Sequence, residues 1–490
     1  MIRRSWIVSV LVAASFALGL PPAMARPFVP QDEGGSGEGE AKQEEEEGAP
    51  KKDEKEEWFA VVGGEVHTGT GAVIRDATVL ARNGVIFQIG TEVRVPDDAK
   101  VLDGSGLRVY PGMVAVLSAG LMGGSSDFQD TVDPFNMRMV LALAGGITST
   151  GQSNTALKLK RGEIEGVVMR EKYLVPLSYS TGNPSNKRSL VEKLEAASKY
   201  LREYRDWEEK KKKDKDLKEP SRRGVDSTVL SILKGEALAR FDADSRNDLL
   251  EIARLAQRFG FRPVIDGCNE GWTVASELGR AGAFAVLTPR ERRDKSEELV
   301  RAGGTTIENA AILHRAGVQV AIVPANKGID LGGIAGRDIM HLPIEAGFAV
   351  RGGMDEAAAL QAITLVPARI LGVDHRVGTI EKGKDCDLIL TDGDLLHYQT
   401  FVQHAVVEGK PVYDKAQELY FAHIRPRPEK PAVAPEKRTD PGEEPAEPKP
   451  ADGEDDNNGL RDSSTGRGPR RPTPGTKRRS SGRFARDRRP

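Results

Sequence analysis

The stretch that decides the fold is Leu107 to Leu121, which reads LRVYPGMVAVLSAGL. Pro111 lacks the backbone N–H that a central strand needs, so we expect the chain to end one strand there and to enter another layer. The apolar run from Met113 to Leu117 shows no polar alternation, which is typical of a strand buried on both faces of a parallel sheet. We therefore interpret this run as the first strand of a barrel, entered from a separate β-layer.

The chain downstream repeats one pattern. From Met113 to about Leu371, short apolar strands alternate with amphipathic helices, of which Asp248 to Phe259, followed by Gly260, is the clearest. Repeated units of this kind predict a parallel sheet with helical crossovers. A length of roughly 260 residues suits an α/β fold with a (β/α)8 TIM-like barrel, which we assign to residues 111–372.

Short strand patterns flank this region on both sides. In residues 58–110 they include a hairpin signal at Asn83-Gly84 between two apolar runs. Strand patterns return in residues 373–420. We expect the two flanks to form one small β-sandwich domain.

One insertion interrupts the predicted barrel. Residues 189–220 read as a charged helix that begins at a capping box, Ser189 to Glu192. A solvated helix extension is the simpler interpretation, and an arm that binds a partner is the alternative.

Both ends of the chain have the composition of segments without a packed core. Residues 1–25 show the basic start, apolar core and small residues of a secretory signal peptide. The apolar core is shorter than the roughly 20 residues of a spanning helix, so an uncleaved anchor is the weaker alternative. Residues 26–57 predict a disordered acidic linker, with an acidic docking segment as the alternative.

Residues 425–490 predict a disordered tail, acidic at first and then basic. Such a tail is either solvated or in contact with envelope polymers or a membrane surface. We expect a soluble exported protein, either periplasmic or extracellular.

Composition excludes several classes of function. The 490 residues carry a formal net charge of −2, so the chain has no overall positive electrostatic field that would favour binding of nucleic acid. The two cysteines, Cys268 and Cys386, rule out a disulfide framework and a thiolate-rich metal site. We expect two free buried thiols, with a single bridge as the alternative. Phosphate-loop and nucleophile-elbow motifs are missing from the sequence.

Pro111-Gly112-Met113-Val114 resembles the entry strand of the amidohydrolase superfamily, in which Pro-Gly and two apolar residues precede Asp-x-His-x-His. Met354 to Thr364 resembles the last barrel helix of that family, and Arg376 to Leu388 resembles its closing segment. The most similar branch is that of the imidazolonepropionase-like proteins, and the resemblance covers about residues 58–415. It implies a barrel with a composite β-domain, a divalent metal such as zinc, and hydrolysis of non-peptide C–N bonds in small cyclic amides.

The resemblance also implies metal ligands at the ends of several strands, and most of those positions have changed. Leu117 and Ala119 stand where the two histidines of the first strand would be, and Ala115 replaces the preceding Asp. Asp242 stands at the fifth-strand His and Gly267 at the sixth-strand His. Ala325 stands at the eighth-strand Asp, which would bind metal and act as the base.

The number and positions of the histidines also argue against a metal site. The chain has seven histidines, with none between Thr68 and Leu313. His314 falls within a predicted helix and reads as a surface residue, whereas His341 follows the last predicted strand and could face the barrel mouth. Catalytic zinc takes about three protein ligands, usually rich in His. We therefore predict no metal site and no cofactor.

Two main hypotheses follow. In the first, the protein is a pseudoenzyme: an inactive or impaired amidohydrolase that binds a small-molecule ligand, or that pairs with a related active amidohydrolase as a homo- or hetero-dimer. In the second, a rebuilt site remains active, with Asp242, Asp266, Glu270 and His341 as catalytic candidates. An oxygen-rich site of this kind suits Mg²⁺ or Ca²⁺ better than zinc, and helix caps or ion pairs are the competing roles for these acids. A third hypothesis is an envelope-binding protein that acts through its basic tail.

Overall fold

The computed structural model describes residues 56–123, 127–292, 303–330 and 336–418. The predicted signal peptide (1–25), nearly all of the predicted linker (26–57) and the predicted tail (425–490) lie outside the described residues. The limits of the domains assigned above therefore stay predictions.

Seventeen strands are defined within the described residues. They are β1 (Trp58–His67), β2 (Val73–Arg82), β3 (Val85–Gly90), β4 (Lys100–Asp103), β5 (Arg108–Pro111), β6 (Met113–Ala115), β7 (Ile147–Gln152), β8 (Thr155–Lys158), β9 (Val168–Glu171), β10 (Leu174–Pro176), β11 (Leu238–Ala243), β12 (Pro263–Gly267), β13 (Phe284–Leu287), β14 (Gln319–Ile322), β15 (Leu388–Thr391), β16 (Val402–Val407) and β17 (Lys410–Asp414).

Ten α-helices are defined in the same part of the chain. They are α1 (Phe128–Thr131), α2 (Met137–Ala144), α3 (Pro184–Lys211), α4 (Ser227–Lys234), α5 (Arg246–Phe259), α6 (Ala275–Arg280), α7 (Asn309–Arg315), α8 (Leu342–Arg351), α9 (Glu356–Gln361) and α10 (Leu365–Leu371).

The two flanking stretches meet in one mixed sheet. Its order is β17-β16-β15-β5-β1-β2-β3, and β4 also pairs with β1. The join is the antiparallel pair β15–β5, in which Leu388 lies opposite Pro111 and Thr391 opposite Arg108. All these strands belong to a single hydrogen-bonded sheet, and the two-sheet sandwich stays a prediction.

The change of layer predicted at Pro111 is confirmed. β5 ends at Pro111 in the mixed sheet, and β6 begins at Met113 in a separate four-stranded sheet, β6-β7-β8-β9. Gly112 joins the two because a Cβ at this position would overlap the Thr148 side chain. The hairpin predicted at Asn83-Gly84 is also confirmed: both residues have positive φ, 50° and 80°, and β2 pairs antiparallel with β3.

The α/β pattern is confirmed in the centre of the chain. Strands β10 to β14 form a five-stranded, wholly parallel sheet. The segment that follows α9 bridges β14 and β6. The Ile322 amide of β14 donates to the carbonyl of Ala362 (2.9 Å), and the Val114 amide of β6 donates to the carbonyl of Ile363 (2.9 Å). β8 pairs antiparallel with both β7 and β9, and a closed ring of eight parallel strands stays a prediction.

Strands β6 and β13 are buried on both faces, as their apolar runs predict. One buried cluster contains Val114, Val264, Val286 and Ala321 together with side chains of α10. The residues next to them in sequence, such as Ile265 and Ala285, belong to a second cluster that includes α5, α6 and α7. Successive side chains thus alternate between two apolar environments.

The helix boundaries follow their caps. The helix predicted near Asp248 is confirmed as α5, whose N-terminus is capped by Ser245 and whose end is marked by Gly260 with φ 76°. The start predicted for the insertion helix at Ser189 is wrong. α3 begins at Pro184, because Asn183 accepts a hydrogen bond from the Asn186 amide (3.2 Å) and a proline suits the first helical turn.

Among the described residues, we find no helix with both the length and the apolar character that a membrane crossing requires.

Candidate functional site

The candidate site lies at the carboxyl ends of β11 and β12. Asp242 and Asp266 are direct register partners in this parallel pair, so their backbones lie side by side. Arg240 precedes Asp242 by two residues and therefore lies on the same face of β11. Carboxyl ends of parallel strands are where α/β folds of this type place ligands.

Two cations hold the two acids. Arg240 Nη2 donates to Asp266 Oδ2 (2.6 Å) and to Asp242 Oδ1 (3.2 Å). Lys327 Nζ donates to the same Asp266 oxygen (3.0 Å). We call these four residues, Arg240, Asp242, Asp266 and Lys327, the mouth cluster. It is internally neutral, with two positive and two negative charges.

The loop after β14 brings Lys327 to the cluster. The Lys327 carbonyl accepts a hydrogen bond from the Ala119 amide (2.9 Å), which ties this loop to the segment after β6. Asn326 stabilises the turn by accepting from the Gly328 amide (2.9 Å). The Asp266 side chain is 12% exposed, whereas that of Asp242 is 80% exposed. Asp266 is therefore the buried anchor of the cluster, and Asp242 faces solvent.

A groove of about 450 Å³ opens beside the cluster. We call it the mouth groove. Its polar lining consists of Tyr179, Ser180, Asp242, Asp244, Ser245, Asp248 and Asp266. Asp248 accepts from the Thr181 amide (2.6 Å) and Asp244 accepts from the Asn269 amide group (2.6 Å), so the loops fix both acids in place. The groove is thus rich in hydrogen-bond acceptors.

Glu270, the third candidate acid, has a different environment. Its Oε1 accepts from the Gly304 amide (2.7 Å) and its Oε2 from the Arg246 amide (2.9 Å). Arg246 is the first residue of α5, so Glu270 satisfies a free helix N-terminal donor and fixes a loop. Both carboxylate oxygens therefore bind backbone donors.

His341 lies apart from the acids of the mouth groove. Its Nδ1 is 2.6 Å from Asp338 Oδ1, just before α8. Asp338 lines another cavity together with Ala325 and Asn326. The structure thus brings Asp242 and Asp266 together, but it places Glu270 and His341 in separate hydrogen-bond networks.

The residues at the positions that the resemblance assigns to metal ligands do not fit a zinc centre. Leu117 and Ala119 offer no ligand atom at the end of the first strand, and neither does Ala325 in the loop after β14. Gly267 has φ 99°, and a Cβ there would collide with the Asp244 carboxylate, so an imidazole is excluded at this position. Among the described residues, no group of three or more His, Cys, Asp or Glu side chains is arranged to hold a metal ion.

The neighbouring cysteine offers no replacement nucleophile. Cys268 is free and fully buried directly after Gly267. Burial, together with the nearby Asp244 carboxylate, raises the pKa of the Cys268 thiol to about 12. The thiol is therefore protonated near neutral pH, and the thiolate needed for attack is not formed.

Sequence reasoning did not identify Arg240 and Lys327. A signal for Arg240 was present, because a charged residue interrupts the otherwise apolar start of β11, Leu-Ala-Arg-Phe. Lys327 carried no such signal, since it follows a Pro-Ala-Asn turn and 61 residues separate it from Asp266.

Comparison with known proteins supports the family resemblance. Residues 276–415 match the model of the amidohydrolase family. The solved structure of an amidohydrolase from Thermotoga maritima MSB8 shares the fold with a TM-score of 0.54 and 23% identity, over 73% of this chain and all of the other.

Two curated proteins match short segments. One is an N-acetylglucosamine-6-phosphate deacetylase of Danio rerio, 42% identical over 55 residues, which are 11% of this chain and 14% of that protein. The other is the amidohydrolase tasK of Hapsidospora irregularis, 31% identical over 85 residues, which are 17% of this chain and 9% of that protein. The chain thus spans only a small part of either relative's length.

The α/β architecture with parallel strands, the family match over the C-terminal helices and strands, and the shared fold agree with one another. The chain has a fold of the TIM-barrel type, and its residues 276–415 match the amidohydrolase family.

Proposed function

We propose that this protein uses the amidohydrolase fold to bind a small polar molecule at the mouth groove, and that it lacks the metal-dependent hydrolysis associated with the family. The observation that supports this most directly is the double ion pair of Asp266 with Arg240 and Lys327.

Electrostatics disfavour a divalent ion in the mouth cluster. A metal bound by Asp242 and Asp266 would lie close to the Arg240 guanidinium and the Lys327 ammonium, both of which would repel it. Displacing those cations would break one hydrogen bond of 2.6 Å and another of 3.0 Å. The cluster thus supplies by itself the positive charge that a metal would bring.

The same contacts weaken the case for a rebuilt hydrolase. A bound metal lowers the pKa of water from 15.7 to about 7, and a carboxylate pair cannot do so. The Asp266 oxygen that faces the cluster already accepts from two cations. Asp242 is the one catalytic candidate that lies at the groove with most of its side chain open to solvent.

The groove indicates the class of ligand. Carboxylates of Asp242, Asp244 and Asp248 line it, with Tyr179 beside them. Arg240 and Lys327 already engage Asp266, so acceptors prevail among the remaining groups. A small molecule with amine or amide N–H donors complements such a surface.

The test is metal content by mass spectrometry on the purified full chain, together with a hydrolysis screen of small amides and lactones. We expect substoichiometric metal and no turnover. Stoichiometric metal would contradict the proposal. So would turnover that is lost in D242N and kept in D98N, a control at an exposed carboxylate in the loop before β4.

We also propose that the protein is exported and that it pairs with a second amidohydrolase-like chain. The predicted signal peptide supports export. N-terminal sequencing of the mature protein would show cleavage after Ala25, and retention of residues 1–25 would contradict export. Size-exclusion chromatography with light scattering would test the pairing, and a strictly monomeric mass would count against a homodimer.

A further inference from the structure

A cavity of about 510 Å³ lies at the edge of the parallel sheet opposite the mouth groove. It is lined where the strands begin: by Leu238, the first residue of β11, by Phe284 of β13 and by Gln319 of β14. Asp242 lies four residues after Leu238 on β11, so about 13 Å of strand separates this edge from the Asp242 end of the mouth cluster. The cavity is thus distinct from the proposed ligand groove.

Three arginines line this cavity: Arg170, Arg262 and Arg369. Each is held by a neutral oxygen. Arg170 donates to the carbonyls of Glu236 (2.7 Å) and Gly372 (3.3 Å).

The other two are held in the same way. Arg262 Nε donates to the Gly282 carbonyl (3.3 Å), and Arg369 donates to the Gln319 amide oxygen (3.1 Å). Neutral acceptors fix the three guanidinium groups in position without cancelling their charge.

Of the described residues that line the cavity, Asp374 is the one carboxylate, and it lies 4.0 Å from Arg369. Three positive charges and one negative charge leave an excess of two. Both Arg262 and Arg369 are exposed, so a ligand can reach them. Among the described residues, no hydrogen-bond acceptor is seen for the terminal nitrogens of Arg262.

The positive charges are close enough to affect one another. Partial burial and the neighbouring Arg369 cation lower the pKa of the Arg262 guanidinium, and Asp374 offsets this in part. The Arg262 guanidinium also stacks on the Phe284 ring, 4.5 Å from its centroid. Tyr173 and Ile370, both buried, complete an apolar floor below the charges.

We propose that this cavity is a binding site for a small molecule with a phosphate group. A phosphate dianion matches the excess charge of two, and guanidinium groups bind phosphate through paired N–H donors. The apolar floor would contact the organic part of the ligand.

A purely structural role is the competing explanation. The acceptors of Arg170 and Arg262 lie near the C-termini of α10 and α6, where helix dipoles favour cations. That role requires only that each arginine be present for stability. It predicts no response to phosphate.

The test is calorimetric titration of the full chain with inorganic phosphate at low ionic strength. We expect a Kd for phosphate of ~1 mM or tighter. We expect the affinity for phosphate to fall about tenfold in R262Q and in R369Q. R258Q is the matched control, an exposed arginine on α5 paired with Glu195, and it should bind phosphate like the wild type. R262K retains the charge without the planar fork and should fall between the wild type and R262Q.

Thermal unfolding of each variant without phosphate shows whether the variant folds. If R262Q does not fold, R369Q tests the site in its place. The absence of binding to the wild type would overturn the proposal. Equal affinity in folded R262Q or R369Q would also overturn it, as would tighter binding of succinate than of phosphate.

Discussion

Lys158 Nζ lies 3.3 Å from Asp387 Oδ2, although 229 residues separate the two in sequence. Lys158 is the last residue of β8, and Asp387 directly precedes β15 of the mixed sheet. Both side chains are buried, with 0% and 3% exposure. Lys158 also pairs with Glu408 (3.2 Å) and with Asp385. The ion pairs therefore tie the central strands to the flanking sheet.

Replacing Lys158 with methionine should strongly destabilise the protein. Burial alone would lower the pKa of Lys158, but the three carboxylates outweigh it and raise the pKa. Without the ammonium, Asp387 is left as a buried, uncompensated charge. Removing one partner of a buried pair costs about 3–5 kcal/mol of unfolding free energy, which urea denaturation would measure.

The matched control is K410M, which removes an exposed pair. Lys410 lies 2.6 Å from Glu163, with side chains 53% and 41% exposed. Such pairs contribute about 1 kcal/mol or less. Equal losses in K158M and K410M would refute the structural role assigned to Lys158.

Asp226 should make stability depend on pH in the acid range. It caps α4, accepting from the Thr228 and Val229 amides and from the Thr228 hydroxyl (2.7 Å), and it pairs with Lys193 (2.9 Å). The Thr228 hydroxyl, followed by Lys193, holds the pKa of Asp226 well below its usual range. The carboxylate therefore stabilises the fold above the unfolded pKa of about 4, and this contribution is lost as the pH falls towards the folded pKa.

D226A should lower the unfolding free energy by about 1 kcal/mol at pH 7, with the deficit shrinking in more acidic buffer. D226N keeps a capping oxygen, so it should lose less unfolding free energy than D226A. A deficit that is the same at pH 7 and at pH 3 would contradict the assigned ionisation.

Glu270 and Asp242 should respond differently to substitution. E270A leaves the amides of Gly304 and Arg246 without their acceptor, so it should cost about 1–3 kcal/mol of stability. D242A removes an exposed side chain and should change stability little. Thermal unfolding of the two variants would check this, and a stable E270A protein would show that Glu270 does not anchor the loop.

Both cysteines should resist modification in the native protein. Cys268 and Cys386 are free and fully buried, and burial raises the pKa of each thiol, that of Cys268 to about 12. A thiol reagent at pH 8 should therefore react slowly with the native chain and should titrate two thiols in denaturant. Fewer than two thiols in denaturant without reductant would indicate a disulfide instead.

Features set by local sequence were predicted well. Pro111 lacks a backbone N–H and ends β5, Asn83-Gly84 adopts positive φ easily, and Gly260 ends α5, so each break in the chain was readable. The start of α3 shows the limit of local reasoning. Two competing start signals were present, and the one at Asn183-Pro184 prevailed over the one at Ser189.

Contacts between distant segments were not readable. Asp242 and Asp266 were identified because each ends a strand, and neighbouring parallel strands place such ends together. Lys327 reaches them only through a loop after β14, and Lys158 lies on the β8–β9 hairpin, which the periodicity did not reveal.

The sequence by itself determined the α/β pattern and the positions of the chain breaks, and through the family resemblance it predicted the loss of imidazole at the metal positions. These depend on residue type and on spacing along the chain. The tertiary structure alone decided that Arg240 and Lys327 neutralise Asp266, and that three arginines meet at the opposite edge of the sheet. The physical reason is that charge compensation depends on distance in space, which strand order and loop path set and which sequence separation does not record.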